Sequence, residues 1–226
     1  MTGFGLPDDA FAVVGTDTGV GKTVVTAGLV GALREAGHDA CAIKPAQTGY
    51  PPDDDAAFVA NICGTEAAAT CLRRLEPALA PEVAADVAGV ELEYESIREE
   101  TAEHLAAHEI GVLEGIGGLR VPLADGREVI DLVSDLGIPA VVVARSGLGT
   151  LNHTALSVSA LRNRGIDVPA VVLNEYEGES LAARTNPDVL AEMTDCPVVT
   201  LPPLSVEDGS SVVDGVRAHV LAGDID

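Results

Sequence analysis

Short apolar runs alternate with longer amphipathic stretches along most of the 226 residues of the chain. Each run holds four or five residues without polar alternation, which predicts a strand buried on both faces. The predicted strands cover residues 11–14, 40–43, 110–113, 140–144, 170–173 and 198–201.

The stretches between these strands have the spacing of helices. Helices are predicted over residues 22–36, 55–63, 96–108, 129–136, 151–164 and 211–221. One more is predicted to begin at Asn186 as its cap, with Pro187 in the first turn. The alternation predicts one α/β domain over residues 1–226, a mostly parallel sheet with helices on both faces. Residues 65–95 follow neither pattern, and we expect them to pass over the carboxyl ends of the strands, where such folds bind ligands.

Composition narrows the class of protein. The four cysteines show neither paired spacing nor a nearby histidine pattern, which argues against a zinc site or a disulfide framework. No apolar stretch approaches the roughly 18 residues of a membrane span, and the first residues lack a basic region. We therefore expect a cytoplasmic protein. With 36 acidic against 13 basic residues the net charge is −23, which disfavours nucleic acid and anionic membranes as partners.

Only two of the basic residues are lysines, Lys22 and Lys44, and both stand next to predicted strand ends. An acidic surface poor in lysine is typical of proteins from salt-loving microbes, where concentrated salt screens the self-repulsion. We expect such a source. The retention of lysine at two strand ends favours a functional role for both.

The first predicted strand runs into Gly15-Thr-Asp-Thr-Gly-Val-Gly-Lys-Thr23 and then a helix. Glycines let backbone N–H groups surround phosphate oxygens, and the helix N-terminus attracts negative charge. Lys22 is placed to reach the β- and γ-phosphates, and Thr23 to offer its hydroxyl to Mg²⁺. Thr16 stands where a strict Walker pattern has glycine, so the loop is a variant. The motif predicts a P-loop NTPase fold that binds ATP with Mg²⁺.

Two further strand ends carry charge. Lys44 ends the second strand, where it is placed to hold a phosphate, a carboxylate or a carbamate. Glu114 follows the third strand, and a buried carboxylate there is explained by Mg²⁺ opposite the phosphate loop. The run Asp53–Asp55 opens a helix as a cap cluster or supplies a metal ligand. Thr23, Asp55 and Glu114 together predict an oxygen-rich Mg²⁺ site.

The chain resembles the dethiobiotin synthetase family over most of its length. The matching segments are residues 15–23, Lys-Pro-Ala-Gln-Thr-Gly at 44–49, Asp55, Glu-Gly-Ile-Gly-Gly at 114–118, Gly-Leu-Gly-Thr-Leu-Asn-His at 147–153, Asn174 and Leu-Pro-Pro-Leu at 201–204. The resemblance implies homodimers that use ATP and Mg²⁺ to join CO₂ to 7,8-diaminononanoate. Carboxylation of one amine, phosphorylation of the carbamate and attack by the second amine then close a cyclic urea.

The resemblance also implies roles for residues. The catalytic residues would be Lys44, Lys22 and Thr16. The nucleotide and its metal would be bound by Gly19, Val20, Gly21, Lys22, Thr23, Val24, Asp55, Glu114, Gly115, Ile116, Gly117, Asn174, Glu175, Pro202, Pro203 and Leu204. The substrate would be bound by Thr48, Gly149, Leu151 and Asn152, the last three at a helix start that receives the tail carboxylate across the dimer interface.

Some positions depart from the family pattern. Glu82 stands in Ala80-Pro-Glu-Val83 where the family carries histidine beside the substrate, and Glu175 replaces a common aspartate. Three alternatives stay open, and one of them is a nucleotide-sensing binding module in which Lys44 and Glu114 would have no catalytic role. A partitioning or metallochaperone ATPase of the same branch would carry a second lysine inside the loop, and a cobyrinate-type synthetase would continue into an amidotransferase domain, for which 226 residues leave no room.

Overall fold

We analysed a computed structural model, which describes residues 4–7 and 9–221. Seven strands form one parallel sheet in the order β11-β10-β9-β1-β6-β2-β4. These strands are β1 (Ala10–Gly15), β2 (Ala40–Lys44), β4 (Ala69–Cys71), β6 (Ile110–Gly118), β9 (Ala140–Arg145), β10 (Val171–Asn174) and β11 (Val198–Thr200). Two short pairs lie outside it: β3 (Gln47–Thr48) with β5 (Arg74–Leu75), and β7 (Pro122–Ala124) with β8 (Arg127–Glu128).

Eight helices are described between the strands. They are α1 (Lys22–Glu35), α2 (Asp55–Cys63), α3 (Pro81–Ala88), α4 (Tyr94–Ala106), α5 (Val129–Leu136), α6 (Thr150–Arg162), α7 (Leu181–Thr194) and α8 (Gly209–Val220). Within the described ranges, none of them has the length and apolarity that crossing a membrane requires.

Apolar side chains of each central strand enter two separate cores. In β1, Phe11 and Val13 pack with helices α1, α2 and α8, whereas Ala12 and Val14 pack with α4–α7 on the opposite face. Burial on both faces is why these strands appear as continuous apolar runs. The predicted α/β fold with helices on both faces is therefore confirmed, and it places β1 at the centre of the sheet.

Helices α1 and α8 approach closely because α1 presents glycine to α8. A Cβ atom built on Gly28 would lie 2.3 Å from Val216 Cγ2 and 3.1 Å from the carbonyl oxygen of Val212. The helix that carries the phosphate loop is thus held against the sheet from its outer side.

One prediction about elements was wrong, and a second holds only in part. Helix α7 begins six residues before Pro187, with the Ser180 hydroxyl accepting a hydrogen bond from the Ala183 N–H, so Asn186 is not its cap. Packing and the Ser180 cap outweigh the local preference of proline for a first turn. The range 65–95 was expected to be an excursion, yet β4 within it forms an edge of the main sheet. Residues 78–81 of that range do line the cleft described next.

Candidate active site

A cleft of about 790 Å³ opens at the carboxyl edge of the sheet. The phosphate loop, the end of β2 and the first turn of α2 form its floor and one side. Residues 78–81, the end of β6 and Val121 form the remainder. Of the predicted site residues, the cleft is lined by Gly19, Gly21, Lys22, Thr23, Val24, Lys44, Thr48, Asp55, Ile116 and Gly117.

The phosphate loop ends in a helix start without a side-chain cap. Gly21 has φ of 94°, a left-handed conformation that favours glycine, and no side chain caps the first turn of α1. A Cβ on Gly21 would lie 1.9 Å from Asn174 Nδ2, and that nitrogen donates to the Val20 carbonyl at 3.1 Å. Two features of the sequence therefore fix the conformation of the loop: the left-handed backbone of Gly21 and the hydrogen bond from the buried Asn174 side chain. Its free N–H groups suit an anion such as phosphate.

Lys44 joins two carboxylates beside this loop. Its Nζ lies 2.5 Å from Asp55 Oδ2, 2.9 Å from Glu114 Oε1 and 3.2 Å from the Gly115 carbonyl oxygen. Thr23 Oγ1 donates to the same Glu114 oxygen at 2.9 Å. Strands β2, β6 and β1 are neighbours in the sheet, which is why residues so distant in sequence meet at one edge.

Burial dominates the electrostatics of the cluster. Glu114 is only 1% exposed, and burial raises its pKa although Lys44 acts in the opposite direction. Burial works to lower the pKa of Lys44, but Glu114 and Asp55 outweigh it and raise that pKa. For Asp55, burial raises the pKa, yet Lys44 prevails and holds it below the ordinary range. For Lys22 the compensation is only partial: burial and the neighbouring Lys44 lower its pKa to about 8 against the opposing effect of nearby carboxylates.

The donor set of this cluster fits a small divalent cation. Two carboxylates and a hydroxyl converge next to the phosphate loop, and oxygen donors of this kind suit Mg²⁺. The contacts of Lys44 with both carboxylates show that the pocket already accommodates positive charge between them. Thr23, Asp55 and Glu114 therefore stay the predicted metal ligands.

Further residues of the predicted nucleotide-binding set lie on the other side of the phosphate loop. Asn174 ends β10 and Glu175 follows it with φ of 52°, while Pro202, Pro203 and Leu204 follow the neighbouring β11. The Tyr176 N–H donates to the Leu201 carbonyl at 2.9 Å and ties these two segments together. These residues therefore lie near one another, but none of them lines the cleft.

Other predicted residues do not themselves line the cleft. Val20 is buried in the core, Gly115 carries the carbonyl that Lys44 contacts, and Thr16 is half-buried after β1. Gly149, Leu151 and Asn152 open α6 after β9, and the single chain does not bring them to the cleft.

Some residues at the site were missed by sequence reasoning. Gln47 lines the cleft and is buried; its signal was its place within the quoted segment 44–49. Arg145 ends β9 and donates to the Gly19 carbonyl at 3.0 and 3.3 Å, and its position at a strand end was a signal. Glu82, at the family's histidine position, accepts a hydrogen bond from the Gly126 N–H at 2.7 Å and so ties α3 to the turn between β7 and β8.

A central β1, a glycine-rich loop with Lys22 and Thr23, and a buried carboxylate on the neighbouring strand β6 define a P-loop nucleotide-binding protein of the α/β class. A family profile described as an AAA domain matches residues 9–207. A ParA family ATPase from Chlorobium tepidum superposes with a TM-score of 0.63 at 13% identity, over 92% of this chain and 91% of that one. That likeness shows the fold alone.

Relatives at higher identity specify the family. The ATP-dependent dethiobiotin synthetase BioD of Haloferax mediterranei is 69% identical, covering 93% of this chain and 90% of its own length. The protein of that name from Anaeromyxobacter sp. strain K is 42% identical over 84% of this chain and 88% of its own. The chain belongs to the dethiobiotin synthetase family.

Proposed function

We propose that the protein is an ATP-dependent cyclo-ligase that makes dethiobiotin from 7,8-diaminononanoate and CO₂, in biotin biosynthesis. The observation that carries this assignment is the convergence of Lys44, Asp55 and Glu114 on the phosphate loop. The 69% identity to the Haloferax mediterranei synthetase supports the substrates. The partitioning-ATPase alternative has only a fold-level likeness, and the loop lacks the second lysine of that class.

The reaction has three balanced steps. An amine of the substrate adds to CO₂ and loses a proton, which gives a carbamate. A carbamate oxygen attacks the γ-phosphorus of ATP, ADP leaves, and a mixed anhydride forms. The second amine attacks the carbamate carbon, phosphate leaves with the bonding electrons, and the cyclic urea closes with loss of a proton.

The residues of the site match the charges that develop in these steps. The protonated Lys22, at the start of α1, would hold the phosphoryl oxygens as negative charge moves toward ADP. Lys44, at the end of β2, would hold the carbamate and the phosphoryl group. All three of its N–H donors are engaged by Asp55, Glu114 and Gly115, so it must exchange a contact to do so. Thr48 lines the cleft where it can bond an amine or the carbamate, and Thr16 is assigned the same role.

Mg²⁺ would be held by Thr23, Asp55 and Glu114. When bound, it neutralises phosphate charge and orients the phosphates. The nucleotide base would lie against Asn174, Glu175 and residues 202–204, on the far side of the loop from these ligands.

The diamine tail would be bound by a second copy of the chain. Gly149, Leu151 and Asn152 stand at the exposed start of α6, where free N–H groups suit a carboxylate. Leu148 beside them is fully exposed and Leu156 is 62% exposed, which supports burial against a partner. Sedimentation analysis tests the homodimer, and Asn152→Asp is expected to raise the KM for the diamine more than it lowers kcat.

Two broader predictions remain. The continuous seven-stranded sheet and the match over residues 9–207 support one domain over residues 1–226. A cytoplasmic location agrees with the four cysteines, which are all free.

Phosphate release with MgATP and bicarbonate in concentrated KCl tests the activity. Release should depend on added diaminononanoate, and mass spectrometry should detect dethiobiotin. Release that ignores the diamine would leave a P-loop ATPase and discard the synthetase. Lys44→Ala should still bind nucleotide but lose turnover; equal turnover would contradict the role given to Lys44.

A further inference from the structure

Gln47 links two parts of the site through a buried side chain that no role above uses. We propose that Gln47 is a positioning residue, whose amide fixes the start of α2 so that the Asp55 carboxylate faces Glu114 and Thr23. The inference rests on the proposed function, because it concerns the residue proposed there as a metal ligand.

The amide of Gln47 has one partner for each of its ends. Its Oε1 accepts a hydrogen bond from the Asp55 backbone N–H at 3.1 Å, and its Nε2 donates to the Thr48 carbonyl at 2.9 Å. A backbone N–H requires an acceptor and a carbonyl requires a donor, so these partners fix the orientation of the amide. Only 6% of the residue is exposed, so water does not readily replace either contact.

The backbone of Gln47 is anchored as well. Its N–H donates to the Arg73 carbonyl at 2.8 Å, and β3 pairs in parallel with β5. The amide therefore extends from a fixed strand, three residues beyond Lys44, the residue at which β2 ends. A displacement of α2 relative to this strand would have to break the contact with Asp55.

The start of α2 shows why that contact matters. The Asp54 side chain, at the N-cap, accepts from the Ala57 N–H at 3.1 Å and leaves the N–H of Asp55 without an intrahelical partner. Gln47 supplies that partner from outside the helix. The residue whose backbone it holds is the one whose carboxylate lies 2.5 Å from Lys44 Nζ, so the anchor sets the place of a site oxygen.

Residues that orient metal ligands contribute strongly to metal affinity, and their loss costs about 10–100-fold. Gln47→Leu keeps the volume of the side chain and removes both hydrogen bonds. We expect the Mg²⁺ concentration that half-saturates Mg²⁺-dependent ADP binding to rise about 10–100-fold. ADP binding measured without Mg²⁺ should stay within about twofold, because the phosphate loop is not touched.

The experiment is a titration of the full chain with ADP over a series of Mg²⁺ concentrations, by calorimetry in concentrated KCl. Asp55→Asn and the double variant Gln47→Leu/Asp55→Asn complete a cycle. If Gln47 acts through Asp55, its loss should add less than about twofold once Asp55 is neutralised. A Gln47→Leu loss that persists undiminished beside Asp55→Asn would overturn the proposal, as would an unchanged Mg²⁺ requirement.

Two further variants separate positioning from general destabilisation. Ser180→Ala removes the cap of α7 outside the cleft and should leave the Mg²⁺ requirement unchanged. Gln47→Asn keeps the amide, but its shorter side chain cannot reach both partners. It should raise the half-saturating Mg²⁺ concentration at least about fivefold. This variant tests the positioning role if Gln47→Leu does not fold. If the parent protein binds ADP without any Mg²⁺ dependence, the proposed metal-binding role of Asp55 is refuted. If the parent depends on Mg²⁺ and the Gln47 variants match it, only the positioning role of Gln47 is refuted.

Discussion

Replacing Lys44 with methionine removes the positive charge from between two buried carboxylates. Lys44 Nζ is 2.5 Å from Asp55 and 2.9 Å from Glu114, and Glu114 is almost fully buried. At 2.9 Å and an effective dielectric of 20, one such pair has a Coulomb energy of about 6 kcal/mol. Part of this offsets the desolvation of the charges, and breaking a buried pair by removing one partner costs about 3–5 kcal/mol in practice.

We therefore expect Lys44→Met to lower the free energy of unfolding by about 3–5 kcal/mol near pH 8. For a chain of this size that corresponds to a fall in Tm of roughly 6–20 °C. The deficit should depend on pH. Burial raises the pKa of Glu114, and without Lys44 it rises further above the value of the unfolded chain. The deficit is then small below the unfolded pKa and grows as the pH rises through the folded pKa.

Urea unfolding of parent and variant at several pH values between 5 and 8, in concentrated KCl, measures this. Lys44→Met/Glu114→Gln is the matched control, because it removes one of the carboxylates left unpaired and should recover part of the lost stability near pH 8. A deficit below about 1 kcal/mol, or one that stays constant from pH 5 to pH 8, would refute the reasoning.

Three more predictions concern other parts of the molecule. Because the pKa of Lys22 is lowered to about 8, Lys22 loses its positive charge above that pH and ADP affinity should fall by up to about tenfold per pH unit. Calorimetric titrations measure this fall, and Lys22→Met should not show it. Gly28→Ala should lower the free energy of unfolding, measured in urea, by about 1–3 kcal/mol, because its Cβ would lie 2.3 Å from Val216 Cγ2 and this clash outweighs the helix preference of alanine. The control Gly28→Ala/Val216→Ala removes the clash and should recover stability. An unchanged urea midpoint for Gly28→Ala would contradict the close approach of the two helices. With a net charge of −23, Tm should rise between 0.1 and 2 M KCl, where the Debye length falls from about 10 Å to below 3 Å; full stability without salt would exclude the halophilic assignment.

The parts of the fold that sequence reasoning recovered are those that local pattern determines. Six strands of the main sheet are buried on both faces, so each appears as an apolar run. The seventh, β4, has three residues that are all half-buried, and it therefore has no apolar run to reveal it. Pro187 shows a different limit, since its local preference for a first turn was overridden by a helix that the Ser180 hydroxyl caps.

Some residues of the site could likewise be predicted from the sequence, and others could not. Lys44 and Glu114 were predictable as neighbours because the sequence pattern put both at the carboxyl ends of parallel strands. In the structure β6 continues to Gly118, so Glu114 lies within that strand and not after it. Gln47 was not, because its role depends on a hydrogen bond to Asp55, eight residues away, and on the burial of its amide. Sequence spacing carries no sign of either.

The retention of lysine at two positions has a geometric cause at one of them. An ammonium group has three N–H donors, and Lys44 has three acceptors around it, on Asp55, Glu114 and the Gly115 carbonyl. The planar guanidinium of arginine directs its donors in one plane and is larger, so it cannot serve three acceptors that surround a point charge at this depth. On the surface the donors of arginine serve carboxylates that lie around the edge of its plane. Arg98 Nε donates to both carboxylate oxygens of Glu95, at 3.2 and 2.7 Å, and its Nη2 lies 3.5 Å from Glu99 Oε1. A chain that uses arginine for surface cations therefore still needs lysine here, and Lys44→Arg is not a conservative change at this position.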